Sequence, residues 1–380
     1  MKNPWNLTLF FLFLLLSSYA VETLAQPEGL SINVNSEIDI AYFDSKGEEK
    51  FRLIIEKNGG ISEIRMSQVT YASPAESFIW NNINEGQSAS SDATAEPIIE
   101  NKGDYITLTC YGAYRNHSVS AVTDITVSKI GLIVIRSAIR AEQSEPTILR
   151  TGWIIHFPTG LLAGEKAYVN MREGIREVNL PVVNFSTGGL FGEVGVVYWM
   201  DFSKTTEGIT LINMAPDTET YYDANIYDAR VDGYDIFSAE FEHTRYGMGS
   251  MPEGSTRVSK VALYLHGPGG YSENLAMINL VSGLADAETK SRNVLKSYQN
   301  PQSKTLASQA LNNAMAGLEK LFKGDIEGAE HDLEQAKSLL KQADETEILT
   351  QVLPLTLVAV VVILALLLII MRRKRRKTRH

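Results

Sequence analysis

The chain has 380 residues, of which 44% are hydrophobic and 21% charged, and its formal net charge is −10. This length and composition allow one large or two medium domains and exclude wholesale disorder. The acidic balance argues against a nucleic-acid surface, which needs clustered Lys and Arg. Cys110 is the one cysteine, so an intrachain disulfide is excluded. Because secreted eukaryotic domains of this size usually carry several disulfides, we expect an archaeal or bacterial protein.

The N-terminus has the composition of a secretory signal peptide. Lys2 provides a positive start, an apolar run occupies residues 9–16, and small residues follow near Ala20 and Ala25. The apolar run is too short to span a membrane comfortably. We therefore predict a signal peptide over residues 1–25 and export of the remaining chain.

Residues 26–286 are predicted to form a mainly β ectodomain. Runs that alternate apolar and polar residues recur between Gly, Asn, Asp and Pro, and no helical pattern separates the strongest of them. The predicted strands cover 32–43, 51–56, 61–66, 105–111, 118–127, 132–141, 152–157, 195–202, 208–214 and 258–266. Many antiparallel strands over this length are typical of one large β-sandwich or of two smaller ones. Cys110 shares a strand face with Ile106 and Leu108, so we expect a buried, inert thiol.

The periodicity changes to that of helices after the β-rich region. Residues 305–322 and 326–343 place Leu and Ala at spacings near 3.6, and Gly324 and Asp325 between them are a helix stop and an N-cap. These features predict an α-helical hairpin within residues 287–347. We interpret it as a stalk or spacer next to the membrane.

A transmembrane helix is predicted over residues 348–371. From Leu353 to Met371 the chain carries no charge, and the basic run from Arg372 to Arg379 follows at once. The basic tail, residues 372–380, is expected to stay in the cytoplasm and to contact lipid headgroups. We therefore predict a single-pass cell-membrane protein whose N-terminal domain is extracytoplasmic.

Sequence motifs of the common catalytic chemistries are absent. The chain contains no phosphate-binding loop, no His-Glu-x-x-His, no paired-cysteine metal site and no calcium-loop pattern. We therefore expect no metal and no cofactor, and the sequence leaves open whether the protein is an enzyme, with the balance against it.

The best local candidate for ligand contact is the segment 217–235, which is rich in Asp and Tyr. Aromatic faces can stack on sugar rings, and carboxylates accept hydrogen bonds from sugar hydroxyls. His156 and His243 have carboxylate or aromatic neighbours that suit a sugar pocket. The candidate ligand-binding residues are Trp199, Asp201, Tyr221, Tyr222, Asp223, Tyr227 and His243. Asn116 and Asn184 begin Asn-x-Ser sequons and are candidate glycosylation sites.

Part of the chain resembles a known group of carbohydrate-active domains. Residues 58–65 contain a Gly-Gly turn that leads into an Ile-x-x-Ile strand. Residues 125–141 and 151–157 have the sequence pattern of paired long strands. These features, within residues 31–284, are similar to the supersandwich domains of the galactose-mutarotase and polysaccharide-lyase families. The resemblance implies a supersandwich-like fold, and it assigns no catalytic residue to a position of this chain.

Three functions are compatible with these observations. The first is a surface module that binds, and could process, carbohydrate, with surface glycans as partners. The second is a non-enzymatic structural or adhesion protein of the envelope, whose partners are neighbouring envelope proteins. The third is an accessory subunit of a membrane transport or secretion complex, coupled through the stalk and the membrane helix. No nucleic-acid partner is expected.

Overall fold

The computed structural model describes residues 28–81, 86–88, 91–114, 117–145, 148–183, 188–194, 196–215, 223–242 and 250–377. This part of the chain is mainly β and forms two antiparallel sheets with a few helices. The predicted β-sandwich is therefore confirmed in its general form. The predicted signal peptide, residues 1–25, lies outside the described residues.

The first sheet, sheet A, contains 11 strands. In spatial order its main path is β1 (Gly29–Val34), β2 (Ile38–Phe43), β3 (Glu49–Ile55), β4 (Ile61–Met66), β6 (Ala75–Asn81), β13 (Ile148–Pro158), β20 (Ile236–Glu242), β19 (Asp223–Asp228) and β16 (Gly189–Val194). Two short strands lie off this path, β5 (Val69–Ala72) beside β4 and β7 (Gly86–Ser88) beside β6.

The second sheet, sheet B, contains 10 strands. Its main path is β15 (Gly174–Asn179), β14 (Lys166–Met171), β17 (Val197–Ser203), β18 (Gly208–Asn213), β21 (Thr256–His266), β12 (Leu132–Ala141), β11 (Val119–Ser128), β10 (Tyr105–Tyr114) and β8 (Ser91–Ala93). The short strand β9 (Ile98–Asn101) pairs with β10 off this path.

The main hydrophobic core lies between the two sheets. Alternate residues of each strand point inward, as the period of two requires. Phe157 of sheet A and Phe202 of sheet B stack across the core with ring centroids 4.4 Å apart. The Tyr71 hydroxyl donates to the carbonyl oxygens of Phe202 and Glu207, at 3.1 and 3.0 Å. Cys110 is buried in this core, and burial raises the pKa of its thiol to about 12, so the prediction of a buried thiol is confirmed.

Four helices complete the described part of the chain. A single turn, α1 (Thr159–Leu162), follows β13, and three long helices end the chain, α2 (Gly270–Ser297), α3 (Pro301–Phe322) and α4 (Ile326–Lys377). The predicted helices over residues 305–322 and 326–343 correspond to α3 and to the first part of α4. The sequence analysis missed α2, and the boundary that it placed between residues 286 and 287 falls inside this helix.

The helices form a third layer on sheet B and not a separate stalk. They share one hydrophobic cluster with the face of sheet B that points away from sheet A, where Leu132, Trp199 and Ile212 are fully buried. The Ser128 hydroxyl donates to the carbonyl oxygen of Phe322 at 2.7 Å. The stalk prediction is therefore corrected: apolar residues on the outer face of sheet B bind the helices to the sandwich.

A buried ion pair also connects this layer to sheet B. The Lys260 ammonium of β21 lies 2.5 Å from the Glu288 carboxylate of α2, and Arg292 bonds the other carboxylate oxygen at 3.0 Å. Burial alone would raise the pKa of Glu288, but the two cations outweigh it and lower the pKa overall. Glu288 therefore stays ionised, and its charge is compensated by partners from both layers.

The predicted transmembrane helix, residues 348–371, lies within α4. Over the residues that the structure describes, no helix is long and apolar enough to span a membrane. The structure therefore gives the predicted transmembrane helix no support, and an anchor there stays a prediction from the sequence.

Candidate functional site

A cavity of about 1070 Å³ lies on the outer face of sheet A, over strands β13, β20, β19 and β16. The register of the sheet arranges its floor in rows. In one row His156 is opposite Ser238, and Ser238 is opposite Tyr227. In the next row Ile154 is opposite Glu240, and Glu240 is opposite Asn225. This floor is polar because the alternate residues of the same strands, such as Phe237 and Ala239, fill the core between the sheets. We call the cavity the sheet A pocket.

His156 is the imidazole of the sheet A pocket. Its Nδ1 lies 2.8 Å from the Ser238 hydroxyl oxygen. Burial lowers the pKa of His156 from its ordinary value of 6.5 to about 4, because desolvation disfavours the charged ring. The ring is therefore neutral at pH 7, with one nitrogen that donates and one that accepts hydrogen bonds.

Two carboxylates lie side by side on β20, and one amide joins them. The side-chain Nδ2 of Asn225 donates to Oε1 of Glu240 at 2.9 Å and to Oε1 of Glu242 at 3.2 Å. Glu242 is fully buried, whereas Glu240 is half-buried and lines the pocket. The shared amide fixes both carboxylates toward the same point of the floor.

Tyr227 and Tyr234 are the aromatic residues of the pocket wall on the β19 side. Tyr227 is half-buried, and burial together with a hydrogen bond to Asp232 raises its pKa. Tyr234 is 65% exposed and lies at the edge of the cavity. The 3₁₀ turn Ala229–Asp232 positions both, since the Asp228 carboxylate caps it at the backbone N–H of Arg230. The pocket thus combines a polar floor with one exposed aromatic face.

Gly188 makes room for the Tyr227 ring beside β16. Its φ of +68° is in the left-handed region, and an added Cβ would lie 2.5 Å from the ring carbon Cε2 of Tyr227. Its carbonyl oxygen accepts from the backbone N–H of Asp228 at 2.7 Å. A glycine is required here because any larger residue would push against the aromatic wall of the pocket.

Arg176 of β15 supplies a cation at the other side of the pocket. The centre of its guanidinium lies 5.5 Å from the centroid of the Phe191 ring, a cation–π distance. Phe191 itself is buried in the core between the sheets. The guanidinium is therefore held over an aromatic ring at the edge where β16 ends sheet A.

The structure brings one of the predicted ligand-binding residues to this pocket, Tyr227. Asp223 begins β19, but its side chain is outside the described part. Tyr221, Tyr222, His243 and the sequon residues Asn116 and Asn184 also lie outside the described residues. His156, which the sequence analysis ranked with His243, does line the pocket.

Trp199 and Asp201 are placed elsewhere, on the face of sheet B that the helices cover. Both side chains are fully buried. The Asp201 carboxylate accepts from Thr210 at 2.7 Å and lies 2.9 Å from Nε2 of His266. Both residues are on sheet B, on the face that packs against α2, so they do not line the sheet A pocket.

Sequence reasoning missed Ser238 and Glu240 as pocket residues. The signal was present, since β20 alternates Phe237, Ala239 and Phe241 with polar residues. That alternation predicts a polar face opposite a core face. It does not show which strands lie beside β20 and so complete the pocket.

Among the described side chains, no group of three His, Cys, Asp or Glu residues is placed to hold a metal ion.

Comparison with known proteins gives matches only at the level of solved structures. No family model matches the chain, and no curated protein matches it. A galactose 1-epimerase from Lactobacillus acidophilus is 7% identical, and the match covers 63% of this chain and 98% of that one with a TM-score of 0.37. A protein assigned as an aldose 1-epimerase from Escherichia coli K12 is 12% identical, with coverage of 57% and 96% and a TM-score of 0.37. An alpha-mannosidase from Enterococcus faecalis is 12% identical, with coverage of 60% and 30% and a TM-score of 0.41.

The structural neighbours thus include aldose 1-epimerases and glycoside hydrolases.

Proposed function

We propose that this protein binds carbohydrate in the sheet A pocket. The observation that carries the proposal is the combination of a polar floor, made by His156, Glu240 and Asn225, with the exposed ring of Tyr234 at the edge of the same cavity. A sugar ring offers hydroxyl groups on its rim and an apolar face of C–H groups. The two parts of the pocket match these two parts of a sugar.

The polar floor supports the proposal because its groups are rigidly held. His156 and Glu240 stand on adjacent central strands of an 11-stranded sheet, and each has a hydrogen-bond partner in the sheet that fixes its direction. Directional donors and acceptors at fixed positions are what distinguish one arrangement of hydroxyls from another. The neutral imidazole and the carboxylate together offer both donors and acceptors.

The exposure of Tyr234 supports the proposal at the apolar side. The exposed ring of Tyr234, at 65%, offers an apolar face that the C–H groups of a sugar ring can cover. Because Tyr234 stands at the cavity edge, a saccharide seated on the floor would reach its ring. At about 1070 Å³, the cavity is slightly larger than the usual range for small-molecule sites, roughly 300–1,000 Å³.

The test is a screen of the full chain against a glycan array, followed by calorimetric titration of the glycans that bind. We expect Tyr234→Ala to weaken binding by about tenfold or more, as loss of one well-covered aromatic contact does. The matched control is Tyr111→Ala, which removes a half-buried tyrosine that is on the outer face of sheet B and does not line the pocket. If no glycan binds, or if both variants bind equally well, the proposal is wrong.

We further propose that the chain is anchored in the cell membrane with its sandwich on the extracytoplasmic side. The proposal rests on the sequence, in which the uncharged stretch from Leu353 to Met371 precedes a basic run. A chain that ends at Thr350 should then leave the membrane fraction of the cells that make it. If the full-length chain and the chain that ends at Thr350 are both retained in the membrane fraction, the proposed anchor is wrong. The envelope-structure and transport-subunit functions stay predictions.

A further inference from the structure

We infer that the sheet A pocket prefers saccharides that carry a protonated amine, such as hexosamines, over neutral saccharides and over uronic acids. This inference rests on the proposed function, because it names the class of saccharide that the same pocket would take.

The described lining of the pocket contains more acidic than basic residues. Among the described residues, Asp232 and Glu240 line the pocket, and Glu242 lies two residues beyond Glu240 on the same face of β20. Arg176 is the cation of the described lining, and its guanidinium lies over the Phe191 ring. Carboxylates therefore outnumber cations among the described lining residues, and these residues contribute a negative potential at the floor.

His156 adds no positive charge to the floor of the pocket at pH 7. A protonated imidazole on the floor would cancel one of the carboxylates. Burial holds the pKa of His156 at about 4, so the ring is neutral at pH 7 and leaves the negative potential in place. The floor thus presents carboxylates beside a neutral ring.

The two carboxylates on β20 point toward the same place. Asn225 donates from one nitrogen to both Glu240 and Glu242, at 2.9 and 3.2 Å. A single nitrogen can reach both only if an oxygen of each carboxylate points toward the same place. A carboxylate has about four lone-pair sites, so Glu240 can accept from Asn225 and from a ligand ammonium at the same time. Glu240 also lines the cavity, so a ligand ammonium can approach it.

An ammonium group fits this arrangement better than a hydroxyl or a carboxylate. It carries a positive charge and three donors, and hydrogen bonds between charged partners are roughly twice as strong as neutral ones. A hydroxyl would supply one donor without charge. A uronate would place a third carboxylate near Glu240 and would be repelled.

The experiment compares four monosaccharides with the same ring, namely glucosamine, N-acetylglucosamine, glucose and glucuronic acid, by calorimetric titration of the full chain at pH 6.5. We expect glucosamine to bind about tenfold more tightly than N-acetylglucosamine or glucose, and glucuronic acid to bind most weakly. The preference should decrease at high salt, because it is electrostatic.

Glu240→Gln tests the assignment of the carboxylate. This variant should reduce the ratio of glucosamine to glucose affinity to near one, whatever its effect on the affinity for glucose itself. The matched control, Glu334→Gln, removes an exposed carboxylate on α4 and should leave the ratio unchanged. Asp232→Asn is a second variant on an exposed turn, where the sheet is not disturbed, and it should lower the ratio by a smaller factor.

The outcomes separate the two proposals. If glucose and glucosamine bind with equal affinity, the amine preference is wrong and carbohydrate binding stands. If glucosamine is preferred but neither Glu240→Gln nor Asp232→Asn changes the ratio, the assignment to these carboxylates is overturned. If none of the four sugars binds and the glycan array is also empty, both proposals fail.

Discussion

The charge state of His156 follows from where one residue sits on one strand. The alternation of β13 places Trp153, Ile155 and Phe157 in the core, so the residue at position 156 must face the opposite side of sheet A. There it is half-buried under the pocket wall and bonded to Ser238. Its neutral form is stabilised by this burial, and the stability of the fold must depend on pH for the same reason.

We predict that protonation of His156 destabilises the folded chain at acidic pH. Its pKa is about 4 in the folded state and 6.5 in the ordinary state. Between these pH values the unfolded chain binds a proton that the folded chain does not, so stability rises with pH. The contribution is fully present above pH 6.5 and is lost as the pH falls toward 4. At roughly 1.4 kcal/mol per pKa unit, the loss is about 3 kcal/mol.

The measurement is the free energy of unfolding by denaturant between pH 4.5 and 7.5 for the wild type and for His156→Gln. The difference in free energy of unfolding between wild type and variant should change with pH. As the pH falls, the variant should become more stable relative to the wild type. His331→Gln, on an exposed position of α4, is the control and should follow the wild type at every pH. A constant difference between wild type and His156→Gln would show that the ring does not titrate as described.

At the scale of elements, the sheet A pocket depends on how β16 closes the edge of sheet A. β16 pairs with β19, and Gly188 just before it brings the chain under the Tyr227 ring. The next residue, Gly189, has no atom within 4 Å of an added Cβ. Two neighbouring glycines therefore have different requirements, and they form a matched pair for a test.

We predict that Gly188→Ala weakens glycan binding several-fold and destabilises the fold by about 1–2 kcal/mol. The cost in stability arises from the left-handed backbone at φ +68°, and the loss of binding arises because the new Cβ displaces Tyr227. Gly189→Ala should keep both properties close to those of the wild type. Thermal unfolding and calorimetric titration measure the two effects. If the two variants bind glycan equally well, the position of the Tyr227 ring does not matter for binding.

The elements themselves were predictable to different degrees. Strands β10 and β11 alternate buried and half-buried residues along nearly their whole length, and the sequence predicted their positions because that alternation is a local property. The helix α2 was missed because it buries Ser282, Glu288 and Ser291 together with its apolar residues, which weakens the helical period. Contacts with sheet B and with the other helices determine which side chains of α2 are buried, and the local sequence does not show these contacts.

The pocket was less predictable than the strands that build it. His156 and Glu240 are on neighbouring strands because β13 pairs with β20 and Ile154 lies opposite Glu240, a register between segments more than 80 residues apart. Hydrophobic alternation gives the face of each residue but not the neighbour of each strand. The sequence therefore pointed to Tyr227 and His156 individually, and their convergence with Glu240 required the structure.

At the scale of the whole molecule, the sandwich and the helices are one folding unit. The outer face of sheet B buries four large apolar side chains against the helical layer, namely Leu132, Trp199, Ile212 and Met214. Each is worth about 1.5–3 kcal/mol when fully buried, so together they contribute about 10 kcal/mol. That sum is comparable to the whole stability of a typical domain, about 5–15 kcal/mol.

Truncation of the chain distinguishes a packed layer from a stalk. We predict that residues 28–350, which keep α2, α3 and the first part of α4, fold and unfold in one cooperative transition. Residues 28–267 should lose cooperative unfolding and aggregate, because the apolar face of sheet B would then be exposed to water. Circular dichroism during heating and size-exclusion chromatography measure these properties. If the shorter chain is monomeric and melts at the same temperature as the longer one, the helices are a separate unit and the one-unit description fails.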